Sequence, residues 1–445
     1  MADNSYFTHL ATGRLILQRG SVPSHDPYTF TAHGAPWVVQ SWLASVLYAS
    51  AEKVAGGAGL RIVSGLLCGV LAGLLWRLSR PAKAILPRLA LVALAIGVGA
   101  ELWGERPLMF GLVGMALVIL AVEDDGFRLW WLLPIAWVWV NTHGSFPLAV
   151  VYLLVAGIGR RLDGESFARE LQVLKWLVIG ILLGAVSPVG PKLLVFPVTL
   201  LQKQDLLKNV IEWRAPDFQG ISQRLFLVQL LLAIVLIARK PSYRTALLLG
   251  VFTAAALMGS RNVVVASIVA LPAMAAALPE LGTLRADVQG AMSRAVAVAG
   301  AAVMVLIVVG RLGQPSFAFD GYPVDAIAYL AAHHVDLEQH HLAHPDIVGN
   351  YLELLGGPGE RVFYDDRFDM FPEAVSQAHL SLVNVRPDLA AQLDRYDIEM
   401  VVWDRSGATA QRLLVDPAWR ALYEDESWVL LCRRGSDLGG SVGTC

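Results

Sequence analysis

Residues Asn4–Leu43 read NSYFTHLATGRLILQRGSVPSHDPYTFTAHGAPWVVQSWL. This stretch holds His9, His25, Asp26, His33, Trp37 and Trp42. It is too polar to cross a bilayer, because a spanning helix needs about 20 consecutive, mostly apolar residues. Most of the chain from Leu43 to Arg311 is apolar. The chemistry-bearing residues therefore begin before the membrane part does. Where this opening stretch lies relative to the bilayer sets the orientation of every helix after it.

The 445 residues are 56% hydrophobic and 16% charged, with a mean hydropathy of +0.54. A soluble domain carries about 25% charged residues. The deficit points to an α-helical polytopic membrane protein. A net charge of −2 provides no basic field for nucleic acid. Three cysteines exclude a disulfide framework and show no metal spacing. Cys68 lies in an apolar run and reads as core. Cys432 and Cys445 can pair but read as separate thiols. No basic n-region precedes the first apolar run, so no secretory signal peptide is recognised.

About ten apolar spans are expected: Leu60–Trp76, Ala84–Ala100, Pro107–Val122, Leu129–Asn141, Phe146–Gly159, Leu171–Ser187, Leu225–Ala238, Tyr243–Met258, Val263–Leu278 and Ala295–Val309. The stretch Trp37–Gly56 is also apolar, but Gln40, Ser41, Ser45, Ser50, Glu52 and Lys53 interrupt it. It reads as an amphipathic helix lying on the membrane surface.

Charge bias supports that choice. With the opening stretch outside and Trp37–Gly56 not spanning, the inner ends collect Arg77, Arg80, Lys83, Arg88, Arg128, Arg160, Arg161, Arg169 and others. The outer ends keep Arg61, Arg106, Arg261 and Arg311. Only the loop Pro188–Arg224, with Lys192, Lys203, Lys208, Arg214 and Arg224, runs against the rule. A polar segment on the outer side needs something to carry it across. One expectation is a further span upstream of Met1, and the alternative is a short tail that translocates unaided.

From Pro315 on, charged residues and histidines become frequent. VDAIAYLAAHH, PDLAAQLDRY and TAQRLLV have helical spacing, whereas ERVFYDD, IEMVVWD and SWVLLCRR read as strands. The expected organisation is an outer loop with a surface helix (1–59), a transmembrane helical domain (60–311), a small extracytoplasmic α/β domain (315–434) and a flexible tail (435–445). Histidines 333, 334, 340, 341 and 344 fit no compact metal-ligand set and read as a solvated loop. Asp365, Asp366 and Asp369 beside Arg367 read as a salt-bridge cluster rather than a metal site.

On this topology four polar groups face one side. They are the opening stretch with Asp3, His9 and Asp26; WVWVNTHGSF with Asn141 and His143; SPVGPKLL and VIEWRAPDF with Lys192 and Glu212; and GSRNVV with Arg261. These motifs carry a resemblance. ADNSYFTHLATGRLILQRGSVPSHDPYTFTAHGAPWVVQSWL resembles the first outer loop of bacterial GT-C superfamily membrane proteins, which are polyprenyl-phosphate-sugar-dependent glycosyltransferases related to protein O-mannosyl and aminoarabinose transferases. Their loop runs D-x-D-x-W-W-H-L-x-x-G, then D-P-[FY]-[ST]-[FY]-T, then W-x-x-H-E-W-L. WVWVNTHGSF is similar to their W-x-N-x-H-G-x-F segment, GAVSPVGPKLL with IEWRAPDF to their S-P-x-G and E-W-x-x-P-x-F segments, and YDDRFDMF to a D-x-R strand of their outer domain. In that family a first helix precedes the acidic loop.

The resemblance implies a GT-C-like fold in the plasma membrane and transfer of a sugar from a polyprenyl-phosphate donor to an unidentified acceptor on the outer face. The acceptor needs a carboxylate to take its proton, and the departing phosphate needs a cation or a metal. Asp3 is the implied base. Arg261 and Lys192 are implied for the phosphate. His9, Asp26, Asn141, His143 and Glu212 are implied for substrate binding or site shape, with a divalent metal as an open cofactor. The chain departs from the pattern at Ser5, where the second acid stands, at Phe7 and Thr8 in place of the paired tryptophans, and at Gln40 and Ser41 in place of His-Glu. A non-catalytic lipid-linked-saccharide binder or scaffold is the alternative. A transporter is disfavoured by the scarcity of charged residues inside spans and the lack of an internal repeat.

Overall fold

The computed structural model describes residues 4–203, 211–278, 286–359 and 361–445. The chain divides into two compact units, one of residues 1–50 with 315–445 and one of residues 51–314. The opening stretch is therefore part of the same unit as the C-terminal residues.

That unit begins with α1 (Asn4–Arg19), whose Tyr6, Phe7, Leu10, Ala11 and Leu15 are buried. A short hairpin comes next. His25 bridges Pro36, Asp26 N–H donates to Ala35 O at 2.9 Å, and Gly34 N–H donates to Asp26 O at 3.0 Å. Helix α2 (Trp42–Leu78) then runs from this unit into the other. It is broken at Ala55 and at Gly56, which sits at φ 56°, ψ −142°. Only glycine adopts that region without strain. The break separates the polar-interrupted first part of α2 from its apolar run.

The membrane unit continues with α3 (Ile85–Gly99), α4 (Leu108–Glu123), α5 (Leu132–Thr142), α6 (Pro147–Leu162), α7 (Ala168–Leu183), α8 (Lys192–Gln202), α9 (Ile221–Ile237), α10 (Tyr243–Met258), α11 (Val263–Ala277) and α12 (Ala286–Arg311). Each of the ten expected apolar runs is helical, and α8 lies where the sequence suggests a loop. Among the described residues four helices are long and apolar enough to cross a membrane: Trp42–Leu78, Ile85–Leu102, Ser260–Ala277 and Val288–Arg311. The other runs form helices of 11 to 17 residues, so four rather than ten meet the length criterion. Helices α4 and α11 are buried on nearly all sides. By contrast Leu231 and Val235 on α9 and Val298, Val305 and Leu306 on α12 are exposed. Apolar surface on that scale is stable only against lipid or a partner, so the chain is a membrane protein.

The small unit resumes with α13 (Val324–Ala332), β1 (Leu342–Ala343), α14 (Asp346–Gly356), α15 (Glu373–Val383), α16 (Leu389–Arg395), β2 (Met400–Asp404), α17 (Ala408–Leu414), β3 (Trp419–Glu424) and β4 (Trp428–Arg433). The sheet order is β1-β2-β4-β3, with β1 parallel to β2 and the other pairs antiparallel. Side chains alternate across a strand. Val401 and Trp403 enter one core with Tyr28, Trp37 and Phe363, and Met400 and Val402 enter a second with Leu330, Leu352 and Leu430. Both faces are covered, which is why MVVW and WVLLC are continuously apolar. One cover is the opening hairpin.

The structure corrects three expectations. ERVFYDD is extended but makes only one bridge among the described residues, Val362 to Thr29, because its neighbour is the short hairpin rather than a full strand. The tail is folded back: Leu438 is fully buried, Asp437 bridges Thr444, and Cys445 forms a disulfide with Cys432. The histidine run is not a solvated loop, since His344 is fully buried, with Nδ1 2.9 Å from Pro345 O and Nε2 accepting Phe363 N–H at 3.0 Å.

One guanidinium ties the hairpin to the C-terminal residues. Arg367, 6% exposed, lies 2.8 Å from Asp26 Oδ1, 3.1 Å from Glu353 Oε1 and 2.5 Å from Asp365 Oδ2, and donates from Nε to Asp365 Oδ1 at 2.9 Å. Tyr28 and Trp37 flank it at 4.9 and 4.5 Å. Removing one partner of a buried ion pair leaves an uncompensated charge, which costs about 3–5 kcal/mol. Arg367→Leu is expected to lower unfolding stability by that amount, and Asp26→Asn by less. Denaturant unfolding followed by tryptophan fluorescence measures both.

Candidate functional site

In the membrane unit, two one-turn segments, Ile211–Trp213 and Ser260–Asn262, dock on each other. Ser260 N–H donates to Arg214 O at 2.8 Å, and Ser260 Oγ donates to Glu212 O at 3.1 Å. This places Glu212, Trp213 and Arg261 together. The Arg261 guanidinium lies 4.6 Å over the Trp213 ring. Among the described residues it has no hydrogen bond and no carboxylate partner. Arg106, just before α4, forms an ion pair with Glu212 and is within electrostatic reach of Arg261. Two guanidiniums and one carboxylate thus share the end of the bundle where α4 and α11 begin. The surplus positive charge and the N–H donors of Arg261 suit a phosphate oxygen.

A second polar group sits along the start of α4. His143 Nδ1 is 2.8 Å from Ser145 Oγ, and Trp139 Nε1 donates to that oxygen at 3.1 Å. Gly111 allows the approach: a Cβ there would stand 2.4 Å from Ser145 Oγ and 3.0 Å from His143 Nδ1. Gly111 is five residues beyond Arg106, about 8 Å along the helix. Asn141 is fully buried, and its amide donates to Trp137 O at 2.8 Å and Gly184 O at 3.3 Å. It staples α5 to the end of α7 rather than facing a ligand. Lys192 is exposed at the start of α8, and no described contact joins it to the arginines.

Three expected site residues belong to the small unit. Asp3 is outside the described residues. His9 Nδ1 is 3.3 Å from Ser45 Oγ, linking α1 to the first part of α2. Asp26 is 2% exposed, and its carboxylate accepts from Tyr28 N, Thr29 N and Thr29 Oγ1 besides pairing with Arg367. It is a structural group with no face left for substrate. Ser41 donates to Gln40 Oε1 at 3.0 Å.

The salt-bridge cluster expected at Asp365 and Arg367 is present, but sequence reading alone misses Asp26 and Glu353 as its other carboxyls. Burial pushes the Glu353 carboxyl well above its usual range, and Asp365 nearby adds to the shift while Arg367 opposes it. Asp366 is pushed up to about 7 by burial first and by Asp365 second, while a hydrogen bond from Ser5 opposes the shift. Its backbone N–H donates to Asn350 Oδ1 at 3.2 Å, and Asn350 Nδ2 donates to Asn4 O at 3.2 Å. Burial also lowers His344 to about 4 and His379 to about 3. The pair DD in YDDRFD is visible in sequence, but not that Asp365 is the one that takes the bidentate pairing with Arg367. Arg106 is also missed as a site residue, and its only signal is a charge directly before an apolar run. Among the described residues no group of three His, Cys, Asp or Glu side chains is placed to hold a metal ion.

No protein-family model and no curated protein matches the chain. Solved structures do share its fold. One is the archaeal oligosaccharyltransferase AglB from Archaeoglobus fulgidus, in complex with an inhibitory peptide and a dolichol-phosphate, with a TM-score of 0.55 and 11% identity over 91% of this chain. This chain spans 65% of the length of that one.

The Asp366 shift has a sign that can be tested. Between pH ~4 and ~7 an unfolded carboxyl ionises while the folded one keeps its proton. The stability that Asp366 contributes is therefore full below pH ~4 and is lost as pH rises through about 7. Asp366→Asn is expected to match the parent chain at low pH and exceed it by about 2–4 kcal/mol above pH ~7. Chemical unfolding at a series of pH values reads the difference.

Proposed function

We propose that this chain is a membrane glycosyltransferase that moves a sugar from a polyprenyl-phosphate donor to an acceptor on the outer face of the cytoplasmic membrane. The observation that carries the reading is Arg261, held on Trp213 beside the Arg106–Glu212 pair with its N–H donors unclaimed among the described residues. A phosphate ester at the end of an apolar bundle is the ligand such a group suits. The fold shared with an oligosaccharyltransferase in complex with a dolichol-phosphate supports the same class. The disulfide between Cys432 and Cys445 supports an extracytoplasmic small unit, since such bonds persist in oxidising compartments. The excess of Arg and Lys at the opposite helix ends supports the orientation and a count of about ten spans.

In the reaction, the bond between the anomeric carbon and the phosphate oxygen breaks, and the electron pair stays on the phosphate. A bond forms from the acceptor atom to the anomeric carbon, and a carboxylate takes the acceptor proton. Arg261 and Arg106 stabilise the phosphate charge as it develops. Lys192 is a further cation for the same anion, and His143 with Ser145 orients the sugar. Asp3 is the base.

A second reading, a lipid-linked-saccharide binder without catalysis, is favoured by Gln40 and Ser41, which bond each other where the related pattern has His-Glu. Purified full-length protein supplied with polyprenyl-phosphate-linked sugars separates the two. Transfer predicts that sugar is released from the lipid and that Arg261→Ala lowers kcat/KM by about 10²–10³, the cost of removing one preorganised donor to a developing anion. Arg261→Lys should recover part of it. Tight donor retention with no sugar released by the parent chain would establish the binder instead.

A further inference from the structure

The far end of the membrane unit carries a second basic feature, which the proposed reaction does not use. Helix α4 has 16 residues, so its C-terminus is about 24 Å from its start beside Arg106. Between that C-terminus, the end of α2 and the turn into α5 lies an open cleft of about 340 Å³, lined by Arg77, Asp124, Phe127, Arg128 and Trp131 among others.

Its charges are not equally engaged. Arg77 pairs with Asp124, which also accepts Gly126 N–H at 3.0 Å. Arg128 is exposed, and among the described residues its side chain has no hydrogen bond or ion pair. The C-terminal carbonyls of α4 would repel an anion, but Arg169 covers them by donating to Ala121 O at 2.8 Å and Asp124 O at 2.9 Å. Arg80 is within electrostatic reach of Asp124. Arg77, Arg80, Arg128 and Arg169 outnumber Asp124 and Asp125.

The walls are aromatic. Trp130 and Trp131 stack with ring centroids 4.2 Å apart, and they are 46% and 49% exposed. Half-exposed tryptophans at the end of an apolar bundle mark the level of lipid headgroups. A free phosphate ion would use the guanidiniums but leave these rings in water.

From the cleft, the unclaimed Arg128 and the tryptophan wall, we infer that this site binds the phosphate-bearing headgroup of an anionic membrane lipid. The phosphodiester lies against Arg128 and the outward edge of Arg77, and the glycerol end of the lipid lies on Trp131 and Phe127.

The test is native mass spectrometry of the full-length protein in detergent, titrated separately with phosphatidylglycerol and phosphatidylcholine. The parent chain should retain phosphatidylglycerol in preference. Arg128→Gln should weaken that retention about fivefold, the scale of one basic residue at an anionic surface. Trp131→Leu should weaken it independently. Both side chains are exposed, so unchanged thermal midpoints confirm that the variants are folded. The inference is overturned if either folded variant retains phosphatidylglycerol as the parent does, or if the two lipids bind equally. Displacement of the lipid by millimolar inorganic phosphate would overturn it too, by identifying a soluble-anion site.

Discussion

The small unit depends on Arg367. Its guanidinium is buried among Asp26, Glu353 and Asp365 and flanked by Tyr28 and Trp37. Burial works against its charge, and Asp365, Glu353 and Asp26 overcome that, holding its pKa above the usual arginine value. Three of the five groups around it come from the opening hairpin. The ion pair and the aromatic contacts therefore join the two ends of the chain into one core. Burial pushes the Glu353 carboxyl well above its usual range, with Arg367 opposing the shift and Asp365 adding to it.

The membrane unit organises its charges differently. Its interior is largely apolar, with Gln229 and Ser267 among the buried exceptions, and most of its charged side chains gather at the helix ends. At one end, Arg106, Glu212 and Arg261 meet because two short turns hydrogen-bond each other and because Trp213 supports the Arg261 plane. At the other, several arginines are structural. Arg244 pairs with Glu123, Arg160 with Glu165 and Glu170, and Arg169 caps α4. Arg128 there is uncommitted among the described residues. The same side chain type thus serves as a brace at some positions and as an unclaimed donor at others, and the difference lies in whether a carboxylate or carbonyl is within reach.

Much of the candidate site is legible from residue types alone. Glu212 and Arg261 stand out because charges beside apolar runs are costly unless they are used or solvated. Asp26 and Asn141 stand out for the same reason, yet the structure uses both internally. Asp26 ends a hairpin and pairs with Arg367, and Asn141 bonds two backbone carbonyls. A polar residue at a helix end looks the same in sequence whether its partner is a ligand or a distant part of the chain. The Cys432–Cys445 pairing, open in sequence but read there as separate thiols, is decided for a related reason, since it requires the tail to fold back with Leu438 buried.

Residue order alone suffices for the class of the molecule and the position of most of its apolar helices. The apolar runs, the polar interruption before Gly56 and the change in composition at Pro315 are local properties, and local periodicity reports them directly. Which polar residues serve the fold is decided by contacts between distant segments. The opening stretch belongs to the C-terminal core because Arg367, more than 300 residues away in sequence, supplies the charge that Asp26 needs. Burial, partnership and pKa are properties of a neighbourhood, and that neighbourhood exists only after those segments have met.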